Sequence, residues 1–207
     1  MIATTADTDF IHVFEPGSDP ARRPLLLLHG TGGDERDLLS LGRTMAPGAS
    51  LLSPRGRVLE GAAPRFFRRL AEGVFDEADL KRRTDELAEF ILWARERHGL
   101  AAPIALGFSN GANVAAALLL QRPEILAGAA LLRAMTPFAE PPAADLTGKP
   151  VLILSGALDP IVPKANAEAL AGQLGASGAV VEHRTLPAGH GLGQADLGLL
   201  GDWLARN

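Results

Sequence analysis

The chain of 207 residues contains no cysteine. That removes disulfides, thiolate-metal sites and cysteine nucleophiles together, and it suits a reducing compartment. Basic charge is also scarce: 20 Lys and Arg stand against 24 Asp and Glu, for a formal charge of -4 and a pI near 5.7. Such a surface is a poor general partner for nucleic acid, whose phosphates need cations. Long apolar runs are missing as well. The longest, residues 114–120, is far too short to span a bilayer. Residues 1–10 carry Asp7 and Asp9 with no basic residue and no apolar h-region, so no secretion signal is expected and the cytoplasm is the default location. No two histidines have close ligand spacing, which together with the missing thiolates argues against a metal site.

What is present is ordinary for a globular protein: 47% hydrophobic and 21% charged residues. The length fits one domain over residues 1–207, with a core that needs no staples. Short apolar runs alternate with longer amphipathic ones. Strands are expected at residues 10–14, Leu25–Leu28, residues 50–53, Ile104–Phe108, Gly128–Leu132, residues 151–154 and residues 180–185. The last of these has mixed faces, as an edge strand has. Helices are expected at residues 37–45, 79–98, Asn110–Gln121, residues 165–174 and residues 196–205. The clearest is 79–98, with Leu80, Leu87, Phe90, Ile91 and Ala94 largely on one face and Gly99 as C-cap. Continuous apolar strands alternating with helices predict a mostly parallel sheet covered on both faces. In such sheets the loops at the carboxyl ends of the strands build the site.

Three signals fall at those ends. Gly107-Phe108-Ser109-Asn110-Gly111 matches G-x-S-x-G between an expected strand and an expected helix. The turn is sharp, and a Cβ at either flanking glycine would crowd it. The helix behind it favours developing negative charge. Next, Asp159 follows the strand at 151–154, and His190, flanked by Gly189 and Gly191, follows the strand at 180–185. Each alone reads as a turn residue. Serine, acid and histidine in that order after successive strands fit a nucleophile, its orienting acid and its base. Third, His29-Gly30-Thr31-Gly32-Gly33 directly follows Leu25–Leu28, where an oxyanion-binding loop is expected. The backbone N–H groups of Thr31 and Asn110 are the candidate donors, and Gly32 lets the main chain approach substrate. A phosphate loop is disfavoured because the Lys-Ser/Thr end of a Walker sequence is missing.

These residues resemble the α/β-hydrolase superfamily and, within it, the small phospholipase/carboxylesterase branch. The runs Leu28-His29-Gly30-Thr31-Gly32-Gly33-Asp34-Glu35, Arg65-Phe66-Phe67-Arg68-Arg69 and Gly107-Phe108-Ser109-Asn110-Gly111-Ala112-Asn113 are similar to bacterial carboxylesterases of the methylhydroquinone-degradation type. The resemblance runs through nearly the whole chain. It implies an α/β-hydrolase fold without a large cap domain, acting without a cofactor on small-molecule carboxylic esters, often as a homodimer. It maps the triad onto Ser109, Asp159 and His190. Acyl-enzyme chemistry also admits an acyl-thioester hydrolase or a lysophospholipase-like enzyme, and a small-ligand receptor on the same fold is the non-enzymatic alternative.

Other residues carry two readings each. His29 either orients the oxyanion loop or simply packs. His98 ends a helix, where a cation suits the dipole, and His12 and His183 sit in strands. Residues 54–76 form the longest stretch without firm structure. Within it Arg65, Arg68 and Arg69 either attract an acidic substrate or pair at the surface with Glu72, Asp76 or Glu77, which is the plainer reading. Phe66, Phe67 and Phe75 either wall a substrate pocket or anchor the loop on the core. Met135, Phe138 and Leu192 follow strand ends and are further candidate pocket walls.

Overall fold

The computed structural model describes residues 9–207; the sequence reading of residues 1–8 lies outside it. In chain order the elements are β1 (His12–Glu15), β2 (Leu25–Leu28), α1 (Leu39–Met45), β3 (Leu51–Pro54), β4 (Val58–Glu60), β5 (Ala63–Arg65), β6 (Arg69–Ala71), β7 (Val74–Phe75), α2 (Glu77–His98), β8 (Ile104–Phe108), α3 (Asn110–Gln121), β9 (Gly128–Leu132), β10 (Pro150–Gly156), α4 (Lys164–Ala176), β11 (Val180–Leu186) and α5 (Gln194–Arg206). Seven strands form one sheet in the order β1-β3-β2-β8-β9-β10-β11. Only β1 pairs antiparallel within it; the other pairings are parallel.

Alternation along the strands divides the core between the two faces. Leu26 and Leu28 point with Ala105, Leu131 and Ile153 toward α2, α3 and α4. Leu25 and Leu27 point with Leu106, Leu132 and Leu154 toward α1 and α5. All four leucines of β2 are buried, each worth about 1.5–3 kcal/mol relative to exposure. Burial on both faces explains why the central strands read as unbroken apolar runs.

The helix expected from residue 79 begins at Glu77, because the Asp76 carboxylate accepts the Asp79 N–H at 3.0 Å and caps the first turn. It ends as expected at Gly99, in the left-handed region with φ 66°. The stretch 54–76 is not the structureless connection its sequence suggests. It folds into two small antiparallel hairpins, β4–β5 and β6–β7, that reverse near Gly61 and Gly73. No helix among the described residues is long and apolar enough to cross a membrane.

Candidate active site

Parallel strands place all their carboxyl ends at one rim, and the loops after β8, β10 and β11 meet there. Ser109 sits between β8 and α3 with φ 52° and ψ -114°, a conformation that L-residues rarely adopt. The flanking glycines are required by close approach. A Cβ on Gly107 would lie 2.6 Å from the Gly111 carbonyl, and one on Gly111 would lie 2.0 Å from the Leu28 carbonyl. The elbow is therefore wedged between its own helix and the end of β2.

Ser109 Oγ lies 2.9 Å from His190 Nε2, and His190 Nδ1 lies 2.8 Å from Asp159 Oδ2. The other Asp159 oxygen accepts the N–H groups of Ile161 at 2.8 Å and Val162 at 3.1 Å. Burial alone would raise this carboxyl, but the His190 hydrogen bond and the two N–H donors outweigh it and hold Asp159 below the usual carboxylate range. The Phe108 ring packs 5.4 Å from the imidazole. The three residues singled out by spacing are thus brought into one hydrogen-bonded chain.

Thr31 lies in the turn after β2, and its N–H has no protein acceptor among the described residues. Its neighbours are tied, Gly32 N–H to Pro64 and Gly33 N–H to Gly30. Gly32 itself has φ 84° and serves the turn. Asn110 is the first residue of α3, so its N–H lacks an intrahelical partner. His29 orders this loop. The Gly56 N–H donates to Nε2 at 2.9 Å, which places the ring proton on Nδ1, where it is given to the Gly30 carbonyl at 2.7 Å.

Burial holds the His29 pKa below its ordinary 6.5. The unfolded chain takes up this proton through about pH 6.5 while the folded ring resists it, so stability is full above that pH and falls below it. The thermal midpoint is expected to drop between about pH 7.5 and pH 5.5, and to drop less in His29→Gln. An equal drop in both proteins would remove His29 as a source.

A pocket of about 330 Å³, counting its open mouth, adjoins Ser109. Its walls include Arg65, Arg69, Phe75, Met135, Ile161 and Val162. Met135 is where its position after β9 suggested, and Phe75 joins it. Phe66, Phe67 and Phe138 are instead buried in the core on the α2–α3 side. They anchor their loops; Phe66 packs on the His29 ring at 4.7 Å. Leu192 packs against the opposite core face. Arg68 pairs with Asp76, as the plainer reading had it, while Arg69 pairs with Glu60. Arg65 has none of the carboxylates the plainer reading named: it is buried, donating to Thr31 Oγ1 at 2.7 Å and to the Phe67 carbonyl at 3.1 Å, with Glu60 3.5 Å away. His98 stacks on Phe14, and burial first, then neighbouring cations, hold its pKa down, so the expected helix-end cation is disfavoured.

Two features escaped sequence reasoning. The buried Arg133 donates to the carbonyls of Gly189 at 2.9 Å and Gly191 at 3.0 Å, on either side of His190, and forms a two-point ion pair with buried Asp196 at 2.8 and 2.9 Å. The Asn113 side-chain oxygen accepts the Met135 N–H at 2.8 Å, tying α3 to the loop after β9. A charge directly after an apolar strand was the one visible hint of the first.

A family model described as alpha/beta hydrolase fold matches residues 23–149. MhqD of Bacillus subtilis strain 168, which carries the name of a hydrolase, is 46% identical over 194 residues, covering 93% of this chain and 96% of that protein. The crystal structure of a Bacillus cereus carboxylesterase is similar with a TM-score of 0.94 and 43% identity, over 97% of this chain and 95% of that one. A carboxylesterase from Mesorhizobium loti gives a TM-score of 0.90 and 37% identity, over 96% of this chain and 95% of that one.

Proposed function

Because the chain belongs to the α/β-hydrolase fold family and is a carboxylesterase-like hydrolase within it, we propose that it is a serine carboxylesterase that cleaves small to medium esters through an acyl-enzyme. The observation that carries this is the unbroken chain from the Ser109 hydroxyl through the imidazole to the Asp159 carboxylate, at 2.9 and 2.8 Å.

In this reading His190 Nε2 takes the Ser109 proton as Oγ attacks the ester carbonyl. The Asp159 carboxylate accepts a hydrogen bond from the Nδ1–H of the ring, which fixes the tautomer that leaves Nε2 free to accept, and it stabilises the imidazolium that forms. The N–H groups of Thr31 and Asn110 hold the oxyanion; losing one such donor costs about 10²–10³ in rate. His190 then protonates the departing alkoxide. Water, activated by the same ring, releases the acid and restores Oγ–H. The small pocket and the lack of a large cap suit short substrates. One sheet carrying the whole constellation supports a single domain.

The test is covalent. A fluorophosphonate probe should add to the chain at Ser109, as peptide mass spectrometry reads it, and p-nitrophenyl butyrate should be turned over. An unlabelled Ser109 in folded protein would sink the proposal. A matched sulfur ester run beside the oxygen ester separates a thioester hydrolase from an esterase.

A further inference from the structure

We propose that the pocket beside Ser109 is an anion-accepting subsite centred on Arg65, and that the enzyme prefers esters bearing a free carboxylate on the part that enters it. The proposal rests on the esterase reading above and names its substrate class.

The first ground is charge. The Arg65 side chain is only 3% exposed, yet it has no carboxylate of its own. The nearest, Glu60, lies 3.5 Å away, is 43% exposed, and is gripped at two points by Arg69 at 2.6 and 2.9 Å. Glu60 is thus divided between two guanidiniums, while Arg69 also feels the more distant Glu72. Arg133, the other buried arginine at this pocket, differs: it holds buried Asp196 at two points and is neutralised. Arg65 Nε and Nη1 are occupied by Phe67 and Thr31, and Nη2 has no protein acceptor among the described residues. Burial, and then the neighbouring Arg69 cation, press the Arg65 pKa downward, the mark of a cation short of counter-charge. An under-compensated buried charge is costly, and a ligand anion relieves that cost.

The second ground is the polarity of the remaining wall. The pocket is lined by Arg65, Arg69 and Arg133 and by no Asp or Glu. Asn110 and Asn113 also line it, and both spend their side-chain oxygens on backbone N–H groups, of Phe66 and Met135. The ends left to them are NH2 donors. The Asn110 NH2 is buried with no partner among the described residues, an unmet donor of the kind that native interiors rarely leave without a purpose. Arg133 and Arg69 are already held by Asp196 and Glu60, which leaves Arg65 and the two amide NH2 groups as the donors not matched to a carboxylate. A neutral alkyl chain would leave them unsatisfied, whereas a carboxylate supplies acceptors and charge together.

The experiment compares kcat/KM for two pairs of similar-sized esters. Methyl hydrogen glutarate against methyl valerate puts the carboxylate on the acyl side, and butyryl glycolate against propyl butyrate puts it on the alcohol side. The anionic member should lead in one pair by about 10- to 100-fold, and Arg65→Gln should erase most of that ratio while Arg65→Lys keeps part of it. If Arg65 only scaffolds Thr31, both members fall together and the ratio stands, which overturns the proposal. Should the Gln variant not fold, the wild-type protein still decides: glutarate should compete with methyl valerate, less so at high salt, and glutaramide should not. Equal inhibition by both, or preference for the neutral ester in both pairs, overturns the subsite and leaves the esterase reading intact. Absence of all turnover with Ser109 unlabelled overturns both.

Discussion

Ser109→Ala is expected to lower kcat by about 10⁴- to 10⁶-fold while the fold persists. The expected floor is set by the proposed oxyanion donors, since the Thr31 and Asn110 amides would still polarise a bound carbonyl. The fold persists because the Ser109 side chain's hydrogen bond is to His190 alone, and alanine meets the same φ of 52° that serine already tolerates. Steady-state turnover beside a thermal melt checks both halves. A control is available in the other serine–histidine contact, Ser155 Oγ to His183 Nε2 at 2.9 Å. That serine is buried, and its hydroxyl also lies 3.0 Å from the Thr185 hydroxyl. Ser155→Ala should hold turnover within a few-fold. If Ser109→Ala kept more than a hundredth of wild-type activity, the nucleophile would have to be sought elsewhere.

Arg133→Met is expected to cost about 3–5 kcal/mol of stability and most of the activity, for different reasons. Stability falls because Asp196 is left as a buried carboxylate without its cation, and three carbonyls lose a donor. Activity falls because the carbonyls on both sides of His190 lose the group that fixes them. The double variant Arg133→Met/Asp196→Leu separates the two. Removing both charges should recover much of the thermal midpoint, though Asp196 also accepts the Gly193 N–H at the start of α5. Turnover should not recover, because nothing then grips the loop. Denaturant melts and kcat/KM on the same samples measure this. Activity that returned in step with stability would reduce Arg133 to a folding element.

The difference between Ser109 and Arg133 shows what a sequence makes legible. Ser109 announces itself by a short motif after an apolar strand; Asp159 and His190 read alone as turn residues, and their position after successive strands in the right order does the rest. Arg133 works through partners 56 to 63 residues away, and its φ of 57° leaves no trace in composition. The hairpins at 54–76 were missed because strands of two or three residues are too short for alternation to register. For the same reason the facing of Phe66 and Phe67 could not be read, and both turned out to be core. The start of α2 was misjudged by two residues because its capping carboxylate, Asp76, lies outside the apolar pattern.

The strand order has a consequence for how this machinery comes into being. Ser109 and His190 are 81 residues apart in the chain, and β9 and β10 lie between β8, which leads to the serine, and β11, which leads to the histidine. Parallel pairings of this kind close large loops and form slowly. In the proposed mechanism the hydroxyl therefore gains its base only when β11, at the edge of the sheet, is in place.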